Sequence, residues 1–418
     1  MSRALTISRE PGGWRVPGLS NLHSHAFQRA MAGMAERRTR AADAAHDSFW
    51  TWRETMYHFA QRMTPDTLHA VAAQLYVEML EAGYTRVCEF HYVHHRPDGG
   101  PYDDPAEMSL ALLAAARETG IRLTLLPVLY MTGGFDGRAL SPRQARFGHT
   151  VDAYLRLFET LRARECEDLR VGVALHSLRA VPEPAMHEVL AALPAGTPVH
   201  IHVAEQIGEV EDCLAVRGAR PVRWLLDHAP VGADWTLVHA THLDADETAR
   251  LARSGATVAL CPTTEANLGD GLFPLRGYLD AGGHWGIGSD SHISVSPVEE
   301  LRWLEYGQRL ASGRRNVAAG AFDSVGHTLL AGALDGDRAT GFDADDEWLL
   351  LDADAPVLTG ADADDLADRW IFSGNRPLVR ESRIGERQLV VDGRHLQADA
   401  IVEDYRRAMR ALLGDQGG

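Results

Sequence analysis

The sequence contains no lysine, so all 41 of its basic residues are arginine. A catalytic Schiff base, a Walker-type phosphate loop and a carbamylated lysine that bridges two metal ions all require a lysine amine. The absence of lysine therefore excludes these three chemistries. Any metal centre in this chain is expected to hold a single ion.

Cysteine is scarce, and its residues are widely separated along the chain, at Cys88, Cys166, Cys213 and Cys261. Without a close pair, neither a disulfide framework nor a cysteine zinc knuckle is predicted. The N-terminal residues lack an apolar targeting core, and no apolar run approaches the ~20 residues of a membrane helix. These features predict a cytoplasmic protein with reduced thiols.

Positive charge is in deficit, because 58 acidic residues against 41 arginines give a formal net charge of -17. Acidic residues are concentrated between Asp335 and Asp368. Such a negative field disfavours nucleic acids and anionic membranes as partners. A small-molecule partner is therefore expected.

Short apolar runs alternate with longer amphipathic stretches between residues 17 and 290, the arrangement typical of parallel βα units. Helices are predicted at 67–82, 108–119 and 151–164. Eight runs are predicted as strands, at residues 16–22, 86–90, 123–129, 171–175, 199–203, 236–238, 257–261 and 285–288. The pattern predicts an α/β fold, a (β/α)8 barrel over residues 16–334.

The chain ends have a different pattern and are expected to form a small β-rich domain from residues 1–15 and 335–418. Strands are predicted at 347–352, 369–372 and 387–391, followed by a C-terminal helix at 398–413. Only about sixteen residues precede the first predicted barrel strand, so we expect either that this small domain is reduced or that the start of the chain is shortened.

A metal site is predicted at the mouth of the barrel. His23 and His25 are two residues apart at a strand end, so their side chains share one face. His202, His239 and Asp290 follow the fifth, sixth and eighth predicted strands, which end at the same mouth. Neutral imidazoles with one carboxylate suit zinc or iron(II), and a free coordination position makes such a site catalytic. His200 lies on the same strand face as His202 and is predicted to be a supporting or core residue.

These motifs and their order resemble the amidohydrolase superfamily, whose distorted TIM barrel binds metal at the same strand ends. The His202-x-x-Glu205 pair resembles the deaminase branch of that superfamily. The resemblance implies that Glu205 transfers protons to the departing nitrogen, while His239 and Asp290 act on the attacking water. It implies these metal ligands: His23, His25, His202 and Asp290. A role for His239 as a fourth nitrogen ligand is the alternative.

Five segments, at residues 21–29, 49–54, 89–95, 175–181 and 261–271, more narrowly resemble the formimidoylglutamate deiminases, a family of histidine-degradation enzymes within that branch. The resemblance implies a homodimer that holds one divalent ion, Zn²⁺ or alternatively Fe²⁺. It implies a substrate-binding set that comprises Gln28, Arg53, Tyr92, His176 and Arg179. The arginines suit a dicarboxylate, because a guanidinium binds a carboxylate with two parallel hydrogen bonds.

The expected reaction is hydrolytic deimination of N-formimino-L-glutamate by a metal-activated water, which yields N-formyl-L-glutamate and ammonia. One alternative is a deaminase of a purine, a pyrimidine or another cyclic amidine, since those enzymes share the His-x-x-Glu pair. An alternative of another class is a non-catalytic barrel that serves in binding or assembly. Complete retention of the expected ligands argues against that last alternative.

Overall fold

The computed structural model describes residues 5–36, 49–320, 324–343 and 345–414, with only the backbone described at 49–51. The strands of these parts are β1 (Ser8–Glu10), β2 (Gly13–Pro17), β3 (Leu19–Ser24), β4 (Tyr84–His91), β5 (Arg122–Leu129), β6 (Leu169–Val171), β7 (Val173–Ser177), β8 (Val199–Val203), β9 (Trp235–His239), β10 (Thr257–Leu260), β11 (His284–Ile287), β12 (Glu347–Asp352), β13 (Val379–Ile384), β14 (Arg387–Val391) and β15 (Arg394–His395).

The α-helices of the same parts are α1 (Phe49–Ala60), α2 (Pro65–Ala82), α3 (Glu107–Thr119), α4 (Val151–Arg162), α5 (Glu183–Ala192), α6 (Ile207–Arg217), α7 (Pro221–His228), α8 (Ala245–Ser254), α9 (Pro262–Leu268), α10 (Leu275–Asp280), α11 (Pro297–Ser312), α12 (Val325–Asp335), α13 (Leu366–Phe372) and α14 (Ala398–Leu413). Short 3-10 helices lie at Ala26–Met31, Pro142–Phe147, Gly336–Thr340 and Pro356–Leu358. None of the helices in these described ranges combines the length and apolarity needed to span a bilayer.

A closed parallel barrel forms the body of the molecule. Its strands pair in the order β4-β3-β11-β10-β9-β8-β7-β5, and the pairing of β4 with β5 closes the ring. The short strand β6 continues into β7 across Gly172, so these two segments together form the fourth strand of the barrel. All residues of β4 and β5 are buried, as expected when helices cover the outside of a parallel sheet. The predicted (β/α)8 barrel is confirmed.

The turn between α2 and β4 shows how the local sequence directs the chain into the barrel. Thr64 caps the start of α2 by accepting a hydrogen bond from the Thr67 backbone amide. Gly83 ends the helix with a φ of 111°, a conformation that L side chains rarely adopt. The chain then enters β4 at Tyr84, and β4 ends beside the metal-ligand candidates.

The chain ends form a second, antiparallel sheet in the order β1-β2-β12-β13-β14-β15. Its centre joins the two ends of the chain, because Val16 of β2 pairs with Leu349 of β12. The predicted first strand is interrupted at Gly18, where a side chain would overlap Thr85. Residues 16 and 17 therefore lie in the end sheet, and the division at residues 16 and 335 stays a prediction.

The predicted strand at 369–372 is wrong, because these residues belong to helix α13. Its buried positions are Leu366, Ala367, Trp370 and Ile371, a helical spacing that packs α13 against α12. The predicted run begins at residue 369, so it leaves out Leu366 and Ala367 and does not show the helical spacing. The predicted strand at 347–352 and the predicted helix at 398–413 agree with the bounds of β12 and α14.

A buried ion network joins the two sheets at the floor of the barrel, the end where the strands begin. Glu347, the first residue of β12, is inaccessible to solvent. The Arg86 Nε donates to both of its carboxylate oxygens at 2.8 Å, and Arg122 Nη1 donates to Oε1 at 2.5 Å. The Thr85 hydroxyl donates to Oε2 at 2.7 Å. The end sheet is thus fastened to β4 and β5.

Candidate active site

Five side chains predicted from the sequence converge at the opposite end of the barrel. His23 Nε2 lies 3.1 Å from His25 Nε2 and 3.0 Å from His202 Nε2. The Asp290 Oδ1 is 3.5 Å from the Nε2 atoms of both His23 and His25. His239 Nε2 lies 3.6 Å from Asp290 Oδ2. The five groups are nearly inaccessible to solvent and lie at the ends of β3, β8, β9 and β11.

The imidazole arrangement fits a cation. His25 Nδ1 donates to the Phe90 carbonyl at 2.8 Å, and His202 Nδ1 donates to the His176 carbonyl at 3.0 Å. Their Nε2 atoms therefore present lone pairs when the rings are neutral, and burial lowers the pKa of both histidines. His23 Nε2 faces both lone pairs and has at most one proton to donate. A metal ion bound by these nitrogens and Asp290 satisfies the remaining lone pairs.

The backbone is strained where it presents these groups. Residues in the left-handed region occur at the ends of three barrel strands, namely Ala204, His239, Ala240, Asp290 and His292, with φ between 46° and 67°. Non-glycine residues in this region cost free energy and persist when the surrounding structure holds them. The concentration of this strain at one end of the barrel marks a functional site.

Hydrogen bonds brace the ends of β3 and β11 against each other. Asn21 accepts from the Ser289 backbone amide at 3.0 Å and donates to the Ser289 hydroxyl at 2.6 Å. His292 Nε2 accepts from the His25 backbone amide at 3.2 Å, and its Nδ1 is 2.9 Å from the Ser289 hydroxyl. Buried Glu89 accepts from the Ala26 amide at 2.6 Å. These bonds hold the loop that contains His25.

A group of carboxylates surrounds His239. Glu205 Oε1 lies 3.9 Å from His239 Nε2, and Glu265 Oε1 lies 3.3 Å from His239 Nδ1. Burial alone would lower the pKa of His239, but the neighbouring carboxylates outweigh it and raise this pKa to about 10. Burial also raises the pKa of Glu205. The pair of Glu205 and His239 is thus arranged for proton transfer.

The site opens into a cleft whose wall includes His25, His202, Glu205 and Asp290. All five residues predicted to bind substrate line it: Gln28, Arg53, Tyr92, His176 and Arg179. Gln28 Nε2 donates to the Tyr92 hydroxyl at 2.9 Å, and its Oε1 has no hydrogen-bond partner among the residues that the structure describes. Arg53 and Arg179 donate to tyrosine hydroxyls, those of Tyr57 at 2.6 Å and Tyr130 at 3.1 Å.

Some lining residues were not singled out from the sequence: Trp52, Met56, Tyr57, Tyr130, Phe147, Thr264, Leu268 and Ser291. Tyr57 had a signal, since it follows Arg53 by four residues on one helix face. Tyr130 had none, because the tertiary fold alone brings it to Arg179. His200 lies in the barrel core, with Nε2 3.3 Å from the Ala339 carbonyl. Within the predicted segment 49–54, the side chains of 49–51 lie outside the described residues.

The barrel, the end sheet and the histidine-aspartate cluster together define a class of protein. The sequence model of the amidohydrolase family matches residues 14–324, and the chain belongs to this family. It is accordingly a hydrolytic enzyme of a metal-dependent family.

A relative from Pseudomonas aeruginosa named formimidoylglutamate deiminase is 50% identical over 97% of this chain and 90% of its own length. An 8-oxoguanine deaminase from Pseudomonas aeruginosa is 28% identical over 95% of this chain and 87% of its own length. The crystal structure of an amidohydrolase from Brucella melitensis is 44% identical, covers 99% of this chain and 97% of its own, and superposes with a TM-score of 0.90. This chain therefore shares the fold of that structure over nearly its whole length.

Proposed function

We propose that this enzyme hydrolyses N-formimino-L-glutamate to N-formyl-L-glutamate and ammonia, a step of histidine degradation. The observation that carries the proposal is the pair of arginines, Arg53 and Arg179, in the same cleft as the metal-ligand candidates and Glu205. A chain with a net charge of -17 needs local cations to bind a dianion. The relative that is 50% identical and named formimidoylglutamate deiminase supports the same substrate.

The residues at the mouth divide the reaction among them. A divalent ion held by His23, His25, His202 and Asp290 would supply the charge that makes a water molecule acidic near neutral pH. Asp290 takes one proton from the water that adds to the formimino carbon. His239 orients this water and stabilises the negative charge that develops on its oxygen.

Glu205 completes the reaction by giving a proton to the formimino nitrogen. Burial raises the pKa of Glu205, in the direction that favours the protonated acid. Asp290 then passes the proton that it took from the water to the same nitrogen, so that ammonia leaves. The hydroxyl proton returns to Glu205 as the carbon-oxygen double bond of the formyl group forms. The water supplies the oxygen, so the glutamate skeleton remains unchanged.

Substrate orientation falls to the opposite wall of the cleft. Each guanidinium presents two parallel donors to a carboxylate, and the tyrosine hydroxyls that contact Arg53 and Arg179 fix the direction of the forks. The unpartnered Oε1 of Gln28 is a hydrogen-bond acceptor for a substrate N–H group. This arrangement disfavours an uncharged base as substrate.

Zn²⁺ is the proposed ion, with Fe²⁺ as the alternative, because three imidazole nitrogens and one carboxylate suit both. Elemental analysis of protein purified without added metal distinguishes them.

The protein is further proposed to be a homodimer in the cytoplasm. The four cysteines are all free thiols, which supports a reducing compartment, and light scattering tests the dimer.

Ammonia release from N-formimino-L-glutamate tests the reaction, with formamide assayed in parallel. Ammonia with N-formyl-L-glutamate is the expected result. Formamide would indicate cleavage of the other C–N bond and would contradict the proposal. Turnover of 8-oxoguanine or another cyclic amidine, without ammonia from N-formimino-L-glutamate, would instead favour the purine deaminases, to which this chain is also similar.

A further inference from the structure

Cys261 and Glu265 lie beside His239, where Glu265 faces Nδ1 while Asp290 faces Nε2. One ligand atom from each of the three residues lies within 4.8 Å of the others, and all three side chains are buried. Thiolate, imidazole and carboxylate are the side-chain groups that bind zinc in proteins. His239 faces Glu205 and Asp290 through Nε2, and Cys261 has no part in the proposed reaction.

The distance between His239 and Glu265 suits two ligands of a tetrahedral ion. Two nitrogen or oxygen ligands about 2.0–2.1 Å from zinc lie roughly 3.3 Å apart at a tetrahedral angle. His239 Nδ1 and Glu265 Oε1 are separated by 3.3 Å, which is long for a hydrogen bond. Glu265 is held in place from below, because its Oε1 also accepts from the Cys261 backbone amide at 2.9 Å. The pair is thus preformed without the cysteine side chain.

The local charge favours a cation at this position. Glu205, Asp290 and Glu265 lie around the one imidazole of His239. A metal binds the thiolate form of cysteine, so the Cys261 thiol releases its proton when the ion binds. The thiolate and Glu265 together then balance the two positive charges of the ion.

A second groove lies next to α9. Glu265 forms part of the wall of this groove, which holds about 880 Å³ of space and runs between α9 and α11. Other residues of its wall are Pro262, Ala266, Phe273, Trp303 and Leu304. Glu265 therefore belongs both to the wall of this groove and to the surroundings of His239.

We propose that Cys261, Glu265 and Nδ1 of His239 form a second, inhibitory site for a thiophilic divalent cation such as Zn²⁺ or Cd²⁺. Occupation of this site displaces the Nδ1 proton and draws the imidazole towards Cys261. The ring is then withdrawn from Asp290 and Glu205. The inhibition rests on the proposed function, whereas the binding of the ion does not.

Cadmium titration tests the binding, because the primary centre contains no thiolate. The exposed thiol is first removed by Cys166→Ser in every variant. Protein already loaded with one zinc ion is then titrated with Cd²⁺ alone, and the ultraviolet thiolate-to-cadmium band is recorded. The band should saturate at one equivalent per chain. It should disappear with Cys261→Ala and persist with Cys213→Ala, which removes a buried thiol elsewhere.

Steady-state kinetics test the inhibition in the same variants. Excess Zn²⁺ should lower kcat by on the order of 10²-fold, the lower range for loss of an acid–base group, and a chelator should reverse this effect. Cys261→Ala should retain the activity of the parent and resist excess zinc, while Cys213→Ala should remain sensitive. Cys261→Ser serves if the alanine variant fails to fold.

Three outcomes would overturn the proposal. They are a cadmium band that survives Cys261→Ala, a saturated band with no loss of activity, and zinc inhibition that is equal in parent and Cys261→Ala. Failure of the proposed function is a separate result. In that case N-formimino-L-glutamate is not turned over by the one-zinc protein, whereas the cadmium band is still measured without any substrate.

Discussion

The two ends of the barrel treat buried charge in opposite ways. At the floor, Glu347 receives donors from Arg86, Arg122 and Thr85, so its charge is matched in place. At the mouth, three imidazoles meet nitrogen to nitrogen, and carboxylates surround His239. The floor is complete by itself, while the mouth requires a cation and a substrate to satisfy its polar groups. Stability and chemistry are thereby separated within one fold.

Removal of a nitrogen at the mouth should have the largest effect. His202→Ala deletes one of the three converging nitrogens, so we expect loss of bound metal and of activity beyond the roughly 10²–10⁴-fold contributed by an acid–base group. His200→Gln is the matched control, because it changes a buried histidine on the same strand that contacts the Ala339 carbonyl instead. Elemental analysis and ammonia assays measure both variants. Undiminished metal in His202→Ala would remove this residue from the ligand set.

Glu205→Gln should separate chemistry from metal binding at the same end. The amide preserves the shape of the side chain but cannot deliver the proton, so kcat should fall by roughly 10²–10⁴-fold with metal content and KM little changed. Glu209→Gln is the control, since that carboxylate accepts from the Glu205 backbone amide at 3.1 Å. Normal turnover in Glu205→Gln would exclude this residue as the acid.

Breaking the floor should have the reverse signature. Glu347→Ala leaves Arg86 and Arg122 buried beside one fewer carboxylate, which should lower the free energy of unfolding by about 3–5 kcal/mol. The folded fraction should retain its kcat, because the floor lies at the opposite end of the barrel. Glu403→Ala removes an exposed partner of Arg406 and should cost about 0–1 kcal/mol. Denaturant unfolding compares them, and equal losses in both variants would contradict the contrast.

The sequence predicts the mouth better than the floor, and the reason is physical. His23, His25, His202 and Glu205 fall into short motifs whose spacing reflects strand and turn geometry. Glu347 and Arg86 are 261 positions apart, and neither has a local pattern that reveals its partner. Glu265 and Tyr130 were not predicted as site residues for the same reason, since tertiary structure alone brings them to His239 and Arg179.

Elements of the fold follow the same rule. The strand predicted at 199–203 has the bounds of β8, because its apolar run is bordered by polar turns. The interruption at Gly18 was not predicted, since the chain stays extended on both sides while it changes sheets. Periodicity identifies an element, but partners distant in sequence decide which sheet it joins.

Substrate specificity should depend on Arg179, with a smaller effect than the losses predicted for His202→Ala and Glu205→Gln. Arg179→Met should lower kcat/KM for N-formimino-L-glutamate. The loss should correspond to about 2–5 kcal/mol of transition-state stabilisation if the carboxylate is desolvated on binding. Arg179→Lys should cost less, because lysine keeps the charge without the planar fork. Formiminoglycine, which lacks the side-chain carboxylate, is the comparison substrate for these variants and for the equivalent variants of Arg53. If all variants discriminate between the two substrates as strongly as the parent, neither arginine reads that carboxylate.

The smallest effect should come from Glu265→Gln, which changes charge beside His239 while keeping an acceptor. The amide oxygen can still accept from the Cys261 amide and from His239 Nδ1, so the ring should stay in place. Loss of the charged partner should lower kcat about tenfold, which corresponds to about 1.4 kcal/mol, with KM and metal content unchanged. In a His239→Asn background the same substitution should have no further effect, because the two residues act as one unit. Independent, multiplying losses in the double variant would show that Glu265 supports the fold rather than the imidazole.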